Sequence, residues 1–291
     1  MHTSGRVTLV TGADSGLGRA IAESLPRSGM IIRAGIGAHV DVQADLTQRN
    51  GRIHLATAVR NITGGRLDAI VAVAGSGAPH PNTVSLNYFG VTEVTSMLHG
   101  LLVASNAPTV VAVSSSSTLN RGNVALIRAA KNGDETRARA VAGRLTATGR
   151  GSQIYRSSKI ALNHWVRATA VDEKWTKPGI TVNAVAPGVI ATDALLATWE
   201  RDRDLLEAAL PQPLGTPGPV QPIADLICWM ASERNRFMTG QIVYCDGGTD
   251  ALTRKVRPHT VYLRYPPRTL VQMVRLARRR TPHTARQGTI Q

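Results

Sequence analysis

Two rhythms of apolar and polar positions alternate along this chain. Short, nearly unbroken apolar runs recur at Val7-Thr8-Leu9-Val10, Met30-Ile31-Ile32-Arg33-Ala34, Asp68-Ala69-Ile70-Val71-Ala72-Val73, Thr109-Val110-Val111-Ala112-Val113, Ile180-Thr181-Val182-Asn183-Ala184-Val185 and Gly240-Gln241-Ile242-Val243-Tyr244. Runs of this length and β-branched content predict strands buried on both faces. Between them the apolar spacing changes to that of helices. One opens at Gly16 and ends before Pro26 and Gly29, one covers about Gln48 to Arg60, and one contains Asn87 and runs to about Ala104. Another is marked by Ile154, Ala161, Leu162, Trp165 and Val166, and a last one by Ile223 to Ala231. Strands alternating with helices predict a doubly wound parallel sheet in three α/β/α layers, with ligands at the carboxyl ends of the strands.

Two stretches stand outside this alternation. Residues Leu119 to Arg150 carry two helical patterns, Val124 to Lys131 and Glu135 to Leu145, broken at Asn132-Gly133-Asp134, which reads as an inserted helical hairpin. The segment from Asp193 to Leu210 holds Leu195, Leu196, Trp199, Leu205 and Leu206, and is placed to act as a lid or to pack as an amphipathic helix on its own domain. One domain over residues 1–250, with the insertion at 119–150, and an extension over 251–291 are expected.

Composition narrows the function classes. The 291 residues are 43% hydrophobic and 18% charged, ordinary for a globular chain. Two cysteines, Cys228 and Cys245, are too few for a disulfide framework, so a cytoplasmic setting is expected. No apolar run approaches the roughly 18 residues that span a bilayer. A net charge of +15 would ordinarily suggest nucleic acid, but ten basic residues and one acid lie between Thr249 and Gln291, so most of the excess belongs to the tail. No nucleic-acid partner is expected. The tail reads as a solvated extension, within which Thr269 to Arg280 has the pattern of a basic amphipathic helix suited to an anionic membrane surface.

The candidate chemistry sits at the predicted strand ends. Thr11-Gly12-Ala13-Asp14-Ser15-Gly16-Leu17-Gly18 joins the first strand to the first helix, and its glycines and helix N-terminus suit a pyrophosphate, although a tight turn alone would look similar. No acid follows the second strand, where one would hold an adenosine ribose. Tyr155 and Lys159 are one helical turn apart, so a phenol and an ammonium share a face. A nearby positive charge favours the phenolate and is expected to lower the Tyr155 pKa. The chain has only five lysines among its 34 basic residues, which suggests that a compact ammonium is wanted at position 159.

Taken in order, these features resemble the short-chain dehydrogenase/reductase family over residues 6–250. The matching residues are Thr11-Gly12-x-x-x-Gly16-x-Gly18, Ala74-Gly75, Asn87, the serine run Ser114 to Ser117, Tyr155-x-x-x-Lys159, Pro187-Gly188-x-x-x-Thr192 and Asp246-Gly247-Gly248. Val73 departs from the Asn usual in that family, and the hairpin separates the serine run from Tyr155 further than usual. The insertion, Val84 to Gly90 and the ending Asp246 to Ala251 look most like the bacterial 3α-hydroxysteroid dehydrogenase/carbonyl reductase subgroup.

The resemblance implies a Rossmann-like fold and an NAD(P)-dependent oxidoreductase acting on a secondary alcohol or ketone. Asn87, Ser115, Tyr155 and Lys159 would be catalytic. Thr11, Gly12, Asp14, Ser15, Gly16, Leu17, Gly18, Asp45, Leu46, Ala74, Gly75, Tyr155, Lys159, Pro187, Gly188, Val189 and Thr192 would bind the cofactor, with NAD preferred over NADP and no metal. Side chains alternate along a strand, so Ser115 and Ser117 are expected to face opposite to Ser114 and Ser116. The substrate is a hydroxysteroid or other bulky apolar carbonyl, or alternatively an acyl or aromatic ketone; a non-catalytic dinucleotide-binding module is the remaining reading. A homodimer through the last helix and strand is expected, because the hairpin would obstruct association through the Tyr155 helix.

Overall fold

The chain's fold is given by a computed structural model that describes residues 5–255 and 267–279. Two units result, Met1–Thr253 and Arg254–Gln291. The first begins with β1 (Val7–Thr11), α1 (Gly16–Ser24), β2 (Met30–Gly35), a two-residue β3 (Val42–Gln43), α2 (Arg49–Thr63) and β4 (Ala69–Ala72). A broken helical run follows: α3 (Asn82–Val84), a π turn (Ser85–Phe89), α4 (Gly90–Met97) and α5 (His99–Val103). Next come β5 (Thr109–Val113), a 3-10 turn (Ser116–Leu119), the hairpin helices α6 (Val124–Lys131) and α7 (Glu135–Ala147), α8 (Ser152–Thr169), α9 (Glu173–Thr176) and β6 (Thr181–Pro187). The unit closes with α10 (Asp193–Leu196), α11 (Trp199–Ala209), α12 (Gln221–Met230), β7 (Ile242–Cys245) and α13 (Thr249–Arg254), whose last residue falls in the second unit. In the second unit, α14 spans Pro267–Arg279; Arg280, the end of the stretch read as amphipathic, lies outside the described residues.

Among the described residues seven strands, all parallel, form one sheet in the order β3-β2-β1-β4-β5-β6-β7. Successive residues feed opposite layers. Leu9, Ile32, Ile70, Val110 and Val182 join one core with α2, α4, α8 and the hairpin, while Val10, Val71, Val111 and Val185 join the other with α1 and α12. This is why the strands read as continuous apolar runs: both faces are covered. The order reverses beside β1, where successive crossovers run to β2 on one side and to β4 on the other, opening a crevice at the carboxyl ends.

The helical run that the sequence shows as continuous is interrupted twice, by the π turn at Asn87 and at Leu98, where the backbone leaves helical geometry. The hairpin turns at Gly133, whose φ of +73° suits glycine, and Asp134 then caps α7 by accepting from the Arg137 N–H at 2.9 Å. Arg52 of α2, fully buried, ties the hairpin to the domain. It donates to both Glu135 oxygens (2.9 and 2.6 Å), pairs with Glu93 at 2.9 Å, donates to the Leu46 carbonyl and stands 5.9 Å over the Phe89 ring. Despite the cost of burying both groups, this pairing holds the Glu135 carboxyl below its usual pKa and the Arg52 guanidinium above its own.

Candidate active site

Thr11 closes β1 with its hydroxyl turned across to β4, accepting from the Val73 and Ala74 N–H groups at 3.1 and 3.2 Å. It therefore aligns the glycine turn with the Ala74-Gly75 end. Gly12 has φ +67°, and a Cβ there would meet the Ala74 backbone at 2.9 Å; a Cβ on Gly18 would stand 1.9 Å from the Gly12 carbonyl oxygen. Both close approaches require glycine. Leu17 is buried and Ser15 exposed, and no side chain caps the start of α1, so its first-turn N–H groups remain open to anionic oxygens. The turn thus fits a dinucleotide pyrophosphate.

Asp14 has a different role in the fold. Its Oδ2 accepts from Gly37 N–H at 2.8 Å and Ile36 N–H at 3.2 Å, which carries a carboxylate to the end of β2, where the sequence shows no acid. Asp45, exposed, folds back on Thr47, accepting from its N–H and its hydroxyl at 2.9 Å each. Leu46 is buried and gives its carbonyl to Arg52. Thr192 caps α10 and lies against Gly16, whose Cβ would be 3.3 Å from the threonine methyl.

Lys159 and Tyr155 are on α8, one turn apart, with the ammonium 5.9 Å from the ring centroid. Lys159 is 3% exposed and donates to the Val113 carbonyl at 2.7 Å. A Cβ on Gly75 would lie 3.5 Å from the Lys159 ammonium and 3.2 Å from Asn87 Oδ1, so the end of β4, the π turn and α8 converge. Asn87 is fully buried. Its Oδ1 accepts from Ser76 N–H at 2.8 Å, and its amide donates to the Ser76 carbonyl and to Ser158 Oγ, both at 3.0 Å. Both amide hydrogens are thereby engaged by protein. Ser76 and Ser158 carry no motif signal, so sequence reasoning missed them.

The serine run separates as the backbone turns. Ser114 donates to Asn163 Oδ1 at 2.6 Å, while Ser115 is the neighbour that lowers the Tyr155 pKa. Strand alternation ends there, because Ser116 starts the 3-10 turn and the Ser115 side chain accepts from Ser117 N–H at 3.1 Å. The expected pairing of Ser117 with Ser115 on one strand face therefore does not hold.

Electrostatics departs from expectation as well. Burial pushes the Tyr155 pKa up, partly offset by the Ser115 hydroxyl, and burial pushes Lys159 down to about 8. Lys159 is thus not the dominant influence on the phenol, because desolvation acts on both groups. At neutral pH this arrangement holds Tyr155 as a phenol, able to donate its proton.

Pro187 ends β6, and the Gly188-Val189 that follows meets a residue that the sequence did not single out. Gln212 accepts from Val189 N–H at 2.5 Å and donates to the Val189 carbonyl at 3.1 Å and the Gly215 carbonyl at 2.9 Å. The backbone of Val189, expected to bind the cofactor, already faces a side-chain amide. No local pattern marks Gln212; it arrives from beyond the lid segment. In that segment, α10 and α11 contain no buried residue.

Comparison with known proteins agrees with this geometry. Residues 30–250 match the family model described as enoyl-(acyl carrier protein) reductase. The chain is 30% identical over 256 residues to a 3-alpha-hydroxysteroid dehydrogenase/carbonyl reductase of Comamonas testosteroni, covering 85% of this chain and 98% of that one. It is 26% identical over 274 residues to the (2S)-[(R)-hydroxy(phenyl)methyl]succinyl-CoA dehydrogenase subunit of Thauera aromatica, covering 85% and 98%. Among solved structures, the 3-alpha-hydroxysteroid dehydrogenase of Pseudomonas sp. B-0831, complexed with NADH, superposes with a TM-score of 0.78 at 32% identity, covering 86% of this chain and 99% of that one.

Proposed function

This chain belongs to the short-chain dehydrogenase/reductase family and is an NAD(P)-dependent oxidoreductase acting on CH–OH groups; we propose that it interconverts a hydroxysteroid, or a similarly bulky apolar alcohol, and its ketone, with NAD(H) preferred. The observation that carries the chemistry is the buried Lys159 ammonium one helical turn from Tyr155 and 5.9 Å from its ring. When bound, the nicotinamide supplies or accepts the hydride. Ser115 hydrogen-bonds the substrate oxygen, and Tyr155 gives it a proton in reduction or, as phenolate, removes the alcohol proton in oxidation. Because burial raises the Tyr155 pKa, the phenol needed for reduction is in place at neutral pH, and the phenolate needed for oxidation gains as pH rises. Lys159 would hold the ribose hydroxyls and Thr192 with the Val189 backbone would hold the carboxamide, while Asn87 fixes the Ser76 and Ser158 ends of the site.

The substrate class is supported by the uncovered apolar residues of the lid, with Leu196 and Leu205 exposed, and by the likeness to the two hydroxysteroid dehydrogenases. A second reading, an acyl or aromatic ketone, is favoured by the likeness to the Thauera enzyme. A panel of 3-ketosteroids, quinones, aryl ketones and acyl ketones, followed by cofactor absorbance, tests this. Steroid turnover at least tenfold more efficient than the rest is expected. The reverse order selects the second reading, and efficiency tenfold better with NADPH than NADH overturns the cofactor preference.

A further inference from the structure

We propose that Asp14 supplies, from the glycine turn, the carboxylate that the end of β2 lacks, and that it is the residue selecting NAD(H) over the 2′-phosphorylated cofactor. The inference rests on the NAD(H) reading above and assigns that preference to one side chain. In dinucleotide folds an acid roughly 20 residues beyond the glycine turn accepts from the adenosine ribose 2′-hydroxyl. Here that place is Gly35-Ile36-Gly37, and between Gly35 and Val42 the only titratable side chains are His39 and Asp41. Asp41 is turned back on β2, where its Oδ2 accepts from Arg33 N–H at 2.7 Å and stands 3.9 Å from the Arg33 guanidinium.

The Asp14 carboxylate occupies the vacated space. A Cβ on Gly35 would lie 2.6 Å from Asp14 Oδ1 and 2.7 Å from its Cγ, so a side chain at 35 and the carboxylate of residue 14 would compete for one location. Both hydrogen bonds that fix the carboxylate, from Ile36 and Gly37 N–H, use Oδ2. Oδ1 keeps its acceptor sites for a ribose hydroxyl. A 2′-phosphate would instead bring its charge against a carboxylate pinned by two backbone groups, with the one cation of β2 already facing Asp41. Gly35 is thus the complement of Asp14: the acid has moved from strand end to turn, and the strand end has lost its side chain to admit it.

The test is equilibrium binding of NADH and NADPH to the purified full-length chain, followed by cofactor fluorescence, with folding checked by circular dichroism. The parent is expected to bind NADH at least tenfold more tightly. Asp14→Asn and Asp14→Ala should each shift the NADPH-to-NADH ratio of Kd values at least tenfold toward NADPH. Adding Gly35→Asp to Asp14→Ala should restore the NADH preference, whereas Gly35→Asp alone should weaken both nucleotides by crowding two carboxylates. Folded Asp14 variants that keep the parental ratio would overturn the assignment while the NAD(H) preference stood. A parent that itself prefers NADPH would overturn that preference first.

Discussion

Ser115 and Ser114 are adjacent in sequence and opposite in consequence. Losing a donor aimed at a developing oxyanion costs about a hundredfold or more in turnover. Ser115→Ala should fall by at least that factor with cofactor binding retained, and Tyr155→Phe further, because it removes the proton carrier. Ser114→Ala, whose hydroxyl serves Asn163, should stay within about tenfold of the parent. Steady-state turnover of the three variants checks the assignment, and inactivity of Ser116→Ala in place of Ser115→Ala would move it. Lys159 gives a second test, through stability. Its pKa is lowered from 10.5 to about 8 by burial, so the folded chain holds that proton less tightly than the unfolded one. The penalty, about 3 kcal/mol at 1.36 kcal/mol per unit, is complete below pH 8 and disappears as pH rises from 8 toward 10.5. Lys159→Met should be inactive yet at least as stable as the parent at pH 7, with its advantage shrinking by pH 10. Urea unfolding at the two pH values measures this, and an advantage unchanged between them would refute it.

Among the elements, the π turn explains why Asn87 was legible but its setting was not. A motif identifies the residue, whereas the extra residue in the helical turn that carries it to Ser76 and Ser158 depends on how α8 packs against that turn. The hairpin was legible from its Asn-Gly-Asp break, but not its anchor, because Arg52 and Glu135 are distant in sequence. In α14, Arg268, Leu270, Val271 and Arg275 are exposed on a helix that a solvated extension would not require. Flotation of the full chain with anionic vesicles at low salt that is lost on removing residues 269–280 would select the membrane reading over a solvated extension. Removing everything after Arg254 should leave ketone turnover intact. Absence of flotation at low salt would end the membrane reading.

At the scale of the molecule, the hairpin lies along α8. The Asn123 N–H donates to Ser157 Oγ at 2.8 Å, and a Cβ on Gly122 would meet Ile160 and Ile127 at 2.9 and 3.0 Å. That leaves Trp229 of α12, partly exposed, and Phe237, 99% exposed, on the approach to β7. A dimer through α12 and β7 is expected by light scattering, and a tetramer burying α8 would contradict it. What the sequence by itself determined was whatever is written in near neighbours: the strand runs, the glycine turn, and Tyr155 four residues from Lys159. The tertiary structure alone decided what depends on distant segments meeting and on water leaving. It brought Asp14 to the end of β2, put Gln212 on Val189, bonded Ser114 to Asn163, and raised the Tyr155 pKa where spacing alone implied a fall. Spacing encodes which groups can be adjacent along one element. It does not encode which solvent they lose, and desolvation determines the charge each group carries.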